Sequence, residues 1–372
     1  MKAITEVPRK QKIVLAVIND INYDQRMIRI CNSLVDAGYE ITMVGRAHKN
    51  SKPLGNKKFA QKRLYVPLSE GKMMYVLYWT RLFFYLLFKK ADAICATDLD
   101  TILPVYFASK IKGSKRTYDA HELFPEMQEV VTRPTQKKIW DAIERFSVPR
   151  FRFGYTIGEC YAEVFKNKYN AEYAVVRNAT ILAPLQATSK QEQYILYQGA
   201  VNVGRCFEYL IPAMQYVDMP LIICGAGNFY EEAVALTKQY NLEHKITFKG
   251  YLPPDELKTY TVNAYVGITL FEAIGPSNRL SMANRFFDYM HSGVPQLCMA
   301  YPEYEKVNAQ YEIANLIPEP TVDNIVQALN KLIADNAYHT SLHHNALAAR
   351  EVYCWQEEEK RLLKVYDELF LS

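Results

Sequence analysis

A chain of 372 residues exceeds the usual single-domain size, so two domains of roughly 150–200 residues each are expected. With 49% hydrophobic and 23% charged residues, 28 Tyr and 17 Phe, the composition is that of a folded globular protein and argues against disorder. A formal charge of +4, with no basic helix carrying stacking aromatics, gives no footprint for nucleic acid.

The N-terminal MKAITEVPRKQK carries charge but lacks the apolar core of a secretory signal, and the following IVLAVI is too short to supply one. Seven scattered cysteines (Cys31, Cys95, Cys160, Cys206, Cys224, Cys298 and Cys354) form no C-x-x-C pair, which reads as reduced, buried thiols and a cytoplasmic location. Short β-rich runs then alternate with helical stretches: KIVLAVIN and QRMIRICNSLVDAG, YEITMVG, later ADAICAT and DTILPVYFASKIKG, then KRTYDA. This alternation predicts parallel βαβ units. The second half repeats it with QYILYQG, PLIICG, KITFKG, AYVGITL and PQLCMA between helices. The fold class is therefore α/β, two Rossmann-like doubly wound domains facing across a cleft, with the seam between Val175 and Gln193. The domains are read as 1–185, 186–352, and a terminal helix 353–372 able to pack on either half.

Two segments of the first half bear on partners. Arg46 to Arg63 holds seven Lys or Arg and no acid, read as a solvated loop able to face an anionic surface. MMYVLYWTRLFFYLLFKK, Met73 to Lys90, is interrupted by Thr80 and Arg81 and is short for a membrane span, so it reads as a buried helix with an interfacial alternative. Together they can hold the chain peripherally at an anionic membrane, at its inner face.

Residues just past strand ends are the candidate chemistry. Asp98 and Asp100 in TDLDT have the D-x-D spacing of a metal site, but they open a helix, and capping is preferred. His121 in YDAHELFPE lies among Asp119, Glu122 and Glu126, as a functional group or as a structural histidine bonded to a carboxylate. Gly225 and Gly227 precede a helix, suiting a phosphate or simply a tight turn. His339, His343 and His344 lack a completing ligand and read as a solvated helix end. LSMANRFFDYMHSGVP, Leu280 to Pro295, reads as one helix whose polar stripe joins Asn284, Arg285 and Asp288, with Phe286, Phe287 and Met290 inward. A carboxylate there can accept two hydrogen bonds from paired sugar hydroxyls, and an arginine suits phosphate; an Arg285–Asp288 surface pair is the alternative.

YDAHELFPE, VVRNA, LYQGAVNVGRCFEYLIPAM, LIICGAGN, ITFKGYLPPDEL and NRFFDYMHSGVP, taken in order, resemble the retaining family 4 glycosyltransferases of GT-B fold, across nearly the whole chain. The resemblance implies transfer of a sugar from a nucleotide diphosphate sugar to a saccharide or lipid-linked saccharide hydroxyl, in polysaccharide or glycoconjugate biosynthesis, with no cofactor and no obligatory metal. It makes Asp288 the acid that holds the donor ribose, Arg205 the contact to the diphosphate with Arg285 assisting, Tyr251 and Leu252 the contacts to the base, and His121 the histidine facing the transferred sugar. The family's two acids correspond to Glu272 and Asp288, with PSNRLSMA inserted between them. A sugar-nucleotide epimerase of the same fold and a non-catalytic sugar-nucleotide binding subunit are the rival readings.

Overall fold

The computed structural model describes residues 9–22, 24–47, 49, 51–185 and 193–372. The first eight residues, and 186–192 within the expected seam, lie outside the described residues. The chain divides into two compact units, residues 1–177 with 359–372, and residues 178–358.

The N-terminal unit is built on a parallel sheet of β1 (Lys12–Ala16), β2 (Glu40–Ala47), β3 (Ala60–Tyr65), β4 (Ala93–Thr97), β5 (Lys115–Ala120), β6 (Phe153–Thr156) and β7 (Ala174–Val175). Their order is β3-β2-β1-β4-β5-β6-β7. Leu15 sits between Met43 and Cys95 in register, and all three are buried, as expected of a strand covered on both faces. The terminal helix Trp355–Leu371 belongs here through its last part: Tyr366 is buried against Tyr39 and Tyr155, and the Tyr39 hydroxyl donates to Asp367.

The C-terminal unit holds β8 (Ile195–Gln198), β9 (Leu221–Cys224), β10 (Ile246–Gly250), β11 (Val266–Thr269), β12 (Gln296–Met299) and β13 (Ala314–Ile317), all parallel, in the order β10-β9-β8-β11-β12-β13. The order reverses between β8 and β11, and a crevice past their carboxyl ends is where a doubly wound sheet binds its ligand. One core runs through this unit from Ala179 to Tyr353.

Three local expectations change. The helix expected from Leu280 starts at Asn284 and ends at His291, while Pro276–Arg279 forms a separate short turn. The Tyr304 hydroxyl accepts from the Ala283 backbone N–H at 2.7 Å, fixing the entry to the helix by a contact 21 residues away. The helix Lys72–Phe88 is only half-buried: Met74, Tyr78, Leu82 and Leu86 face the core, and Val76, Phe84 and Phe88 face outward. His339 and His343 are not a solvated end, because their rings bond the carbonyls of Tyr265 and Gly293. All seven cysteines are buried and free.

Candidate functional site

The end of β8 is the hub of the C-terminal unit. Tyr197, Gln198 and Gly199 end this strand at the switch point, and each meets a polar or charged group brought by another element. The Asp288 carboxylate accepts from the Gln198 side-chain amide at 3.1 Å and from the Thr180 hydroxyl at 2.8 Å. Gln198 is fixed in turn by accepting from Thr261 at 2.7 Å. Asn284, one helical turn before Asp288 and exposed, accepts from Asn178 at 2.6 Å.

Arg285 does not share the surface stripe expected of it. It is 8% exposed, its guanidinium lies 4.5 Å from the centre of the Tyr197 ring, and one terminal nitrogen, Nη1, is buried with no hydrogen-bond partner among the described residues. Gly199, at φ +122°, passes directly over it: a Cβ there would stand 3.7 Å from the guanidinium carbon. Arg205 follows the same β8 loop, 5.7 Å from the Phe271 ring. Burial, and then the nearby Arg285 charge, lower its pKa. Neither arginine has an ion-pair partner among the described residues. Two neighbouring guanidinium groups without a carboxylate between them leave positive charge unmet, which is the condition for holding an anion.

Glu272 lies immediately past β11, and its backbone N–H donates to the Gly204 carbonyl at 2.9 Å, which ties the β11 loop to the β8 loop. Burial first, and Glu208 second, raise its pKa. It also lines a pocket of about 580 Å³ with Tyr209, Arg279 and Tyr301. Gly225 and Gly227 are required by packing: a Cβ on Gly225 would lie 1.7 Å from the Gly199 carbonyl oxygen, and one on Gly227 2.2 Å from that of Val201. The Asn228 side chain accepts from the Val203 backbone N–H and the Asn228 backbone N–H donates to the Asn202 side chain, both at 3.0 Å, which closes the two loops on each other. Beyond β10, Tyr251 is 72% exposed and Leu252 packs at the edge of a small apolar cluster.

In the N-terminal unit, His121 sits past β5 and bonds Asp98 through Nε2 at 2.9 Å, with Nδ1 3.9 Å from Asp119. Asp119 is itself held by the buried Arg26 at 2.8 Å. Burial disfavours the charged ring, but Asp98 and then Asp119 outweigh it and hold the His121 pKa up at about 10. Asp98 is not the cap expected of it. Its φ of +53° turns the carboxylate away from the helix it precedes and toward the backbone N–H groups of His121 and Glu122, both at 3.1 Å. Asp100 is buried in the first turn of that helix; burial, then Asp98, push its carboxyl well above the usual range.

Tyr197, Gln198, Thr180 and Thr261 are site residues that the sequence reading missed. The cue at hand was Gly199 after the strand LYQ, since a glycine at a strand end signals close approach of another group.

Residues 185–348 match the family model of the glycosyl transferases group 1. Across 97% of this chain and all of the other, the structure is similar to sucrose-phosphate synthase from Thermosynechococcus elongatus, at 16% identity and a TM-score of 0.81. The chain has the GT-B fold. It is likewise similar to Anabaena HepE, solved in complex with UDP-glucose, at 11% identity and a TM-score of 0.75, over 96% of this chain and 99% of that one. By sequence it is 24% identical over 183 residues to an uncharacterized glycosyltransferase of Methanocaldococcus jannaschii. That match spans 47% of this chain and 45% of the relative's length. The family match falls on the C-terminal unit and takes in Arg205, Glu272, Arg285 and Asp288 together.

Proposed function

We propose that the protein is a retaining family 4-like glycosyltransferase that moves a sugar from a nucleoside diphosphate sugar to a hydroxyl of a saccharide or lipid-linked saccharide, in polysaccharide or glycoconjugate biosynthesis. The observation that carries this is the pair of guanidinium groups, Arg205 and Arg285, without an ion-pair partner among the described residues, at the switch point of a unit matching the glycosyl transferases group 1. In this reading they take the diphosphate, while Asp288, held by Thr180 and Gln198, accepts from the ribose hydroxyls. Tyr251 and Leu252 flank the base, and Glu272 is assigned to the sugar. Asn284 stands one turn before Asp288 as a further polar contact to the donor.

The bond from the anomeric carbon to the diphosphate oxygen breaks as the acceptor oxygen bonds to that carbon on the same face. The acceptor proton passes to the departing diphosphate. Charge developing on the leaving group is met by Arg205 and Arg285, preorganised before reaction. His121, charged below about pH 10 through Asp98, then supplies positive charge near the transferred sugar and does not act as a base. No metal is assigned a role, so EDTA should leave turnover unchanged.

The test is incubation with UDP-, GDP-, ADP- and TDP-sugars, with and without a saccharide or lipid-linked acceptor, followed by NMR. New glycosidic product of unchanged anomeric configuration supports the reading. Isomerised donor in the absence of acceptor would instead identify an epimerase, and nucleotide binding without turnover a non-catalytic subunit.

A further inference from the structure

The N-terminal unit presents an apolar face that the described residues leave uncovered. The helices Lys72–Phe88, Leu99–Lys112 and Pro134–Ser147 each connect parallel strands in the same direction along the sheet, so right-handed crossover places them on one side. Their contacts agree: Tyr75 meets Trp140 at 5.3 Å, Phe107 stacks with Phe146 at 6.2 Å, and Lys112 Nζ donates to the Leu86 carbonyl at 2.9 Å. The inner stripes are buried. The outer stripes hold Val76, Phe84, Phe88, Phe107, Ile111 and Phe146, with Phe88 81% and Ile111 65% exposed.

The charge beside these side chains has one sign. From Lys72 to Arg116 the sequence has eight Lys or Arg and three Asp. Asp98 and Asp100 are buried, and Asp92 is paired with Arg9. On the third helix, Asp141 and Glu144 are ion-paired with Lys137 and Lys168. Arg81, Lys90 and Lys110 remain exposed. Lysine is depleted where proteins meet proteins. Aromatic and aliphatic tips beside Lys and Arg are instead the composition of helices lying in the interface of an anionic bilayer. No helix among the described residues is long and apolar enough to cross a membrane, so such a contact is peripheral.

We propose that this three-helix face seats on an anionic phospholipid surface, with Phe84, Phe88 and Ile111 entering the headgroup region and Arg81, Lys90 and Lys110 meeting phosphates. The seat lies in the N-terminal unit and does not depend on the donor reading. It also differs from the sequence expectation, because the Arg46–Arg63 segment takes no part in it.

The test is flotation of the full chain with vesicles of phosphatidylcholine, alone or mixed with phosphatidylglycerol. The chain should float only with the anionic vesicles and be released by salt. Phe84→Ser/Phe88→Ser, and separately Lys90→Glu/Lys110→Glu, should lower partitioning about tenfold or more. Lys57→Glu/Lys62→Glu should leave it unchanged. All these positions are exposed, so each variant should melt like the wild type. Three results would overturn the proposal: no flotation of the wild type, flotation insensitive to the first two variants, or a dimer in size-exclusion that Phe84→Ser/Phe88→Ser dissociates.

Discussion

Arg285 is the residue whose replacement separates folding from binding. It is buried over Tyr197, and among the described residues its Nη1 has no hydrogen-bond partner and its charge no counter-ion. Arg285→Met keeps apolar contact with the ring and removes the charge. In the unliganded protein, the lost cation–π contact is of order 1–2 kcal/mol. Against it stands the cost of burying an unpaired charge, several kcal/mol, so the variant should melt at or above the wild-type temperature. Binding moves the other way. A charge-assisted hydrogen bond to a diphosphate contributes about 1.5–3 kcal/mol, so its loss should raise Kd about 10- to 150-fold. With nucleotide at about 100 times Kd, mass action stabilises the wild type by about 2.7 kcal/mol. If Kd rises about 100-fold, the same nucleotide concentration contributes only about 0.4 kcal/mol. For a domain of this size that is a fall in melting shift from about 5–10 °C to about 1–2 °C. Thermal-shift curves with UDP, GDP, ADP and TDP read both quantities together. A variant that is destabilised yet keeps the full nucleotide shift would refute the reasoning, since Arg285 would then be a structural cation and not an anion contact.

Three further outcomes follow from the geometry. Asp288→Ala should abolish most of the nucleotide shift and cost about 1–3 kcal/mol of stability by denaturant titration, because Thr180 and Gln198 lose their acceptor. Gly225→Ala should destabilise by about 3 kcal/mol or more, since its Cβ would overlap the Gly199 carbonyl and only a backbone shift relieves that; an unchanged melting temperature would mean that the loops are not clasped as described. The third outcome concerns pH. His121 has a folded pKa of about 10 against an ordinary value of 6.5, so the folded state binds the extra proton between them. The stability it contributes is complete below about pH 6.5 and is lost as pH rises through about 10. His121→Gln should flatten the fall of melting temperature across that window; equal slopes would show that Asp98 does not hold the charge.

The doubly wound architecture was legible because a strand covered on both faces must be a short apolar run, and the runs at Ile13, Ile94, Ile195, Ile222 and Leu297 are bounded by turns. Asp288 was legible as a misplaced carboxylate among Phe286, Phe287 and Met290. The start of its helix was not, because a tertiary bond from Ala283 to Tyr304 sets it and no local capping residue does. Arg285 was misplaced for a related reason. A 3.6-residue period assigns a charge to the solvent face, and only the packing of β8 shows a ring ready to take a guanidinium inside. Asp98 failed as a cap because its left-handed backbone reverses the direction of the side chain, which residue type alone does not encode. Gly225 and Gly227 were legible as a phosphate loop or a tight turn, and only the packing shows that their close neighbours are the protein's own Gly199 and Val201 carbonyls.

The central claim is that the end of β8 holds a nucleoside diphosphate. The most direct measurement is a crystal structure of the full chain with whichever nucleoside diphosphate gives the largest thermal shift. The expected result has diphosphate oxygens about 3 Å from the guanidinium nitrogens of Arg205 and Arg285, and ribose hydroxyls donating to Asp288. A nucleotide bound elsewhere, with Arg285 still stacked on Tyr197 and its nitrogen unpartnered, would contradict it.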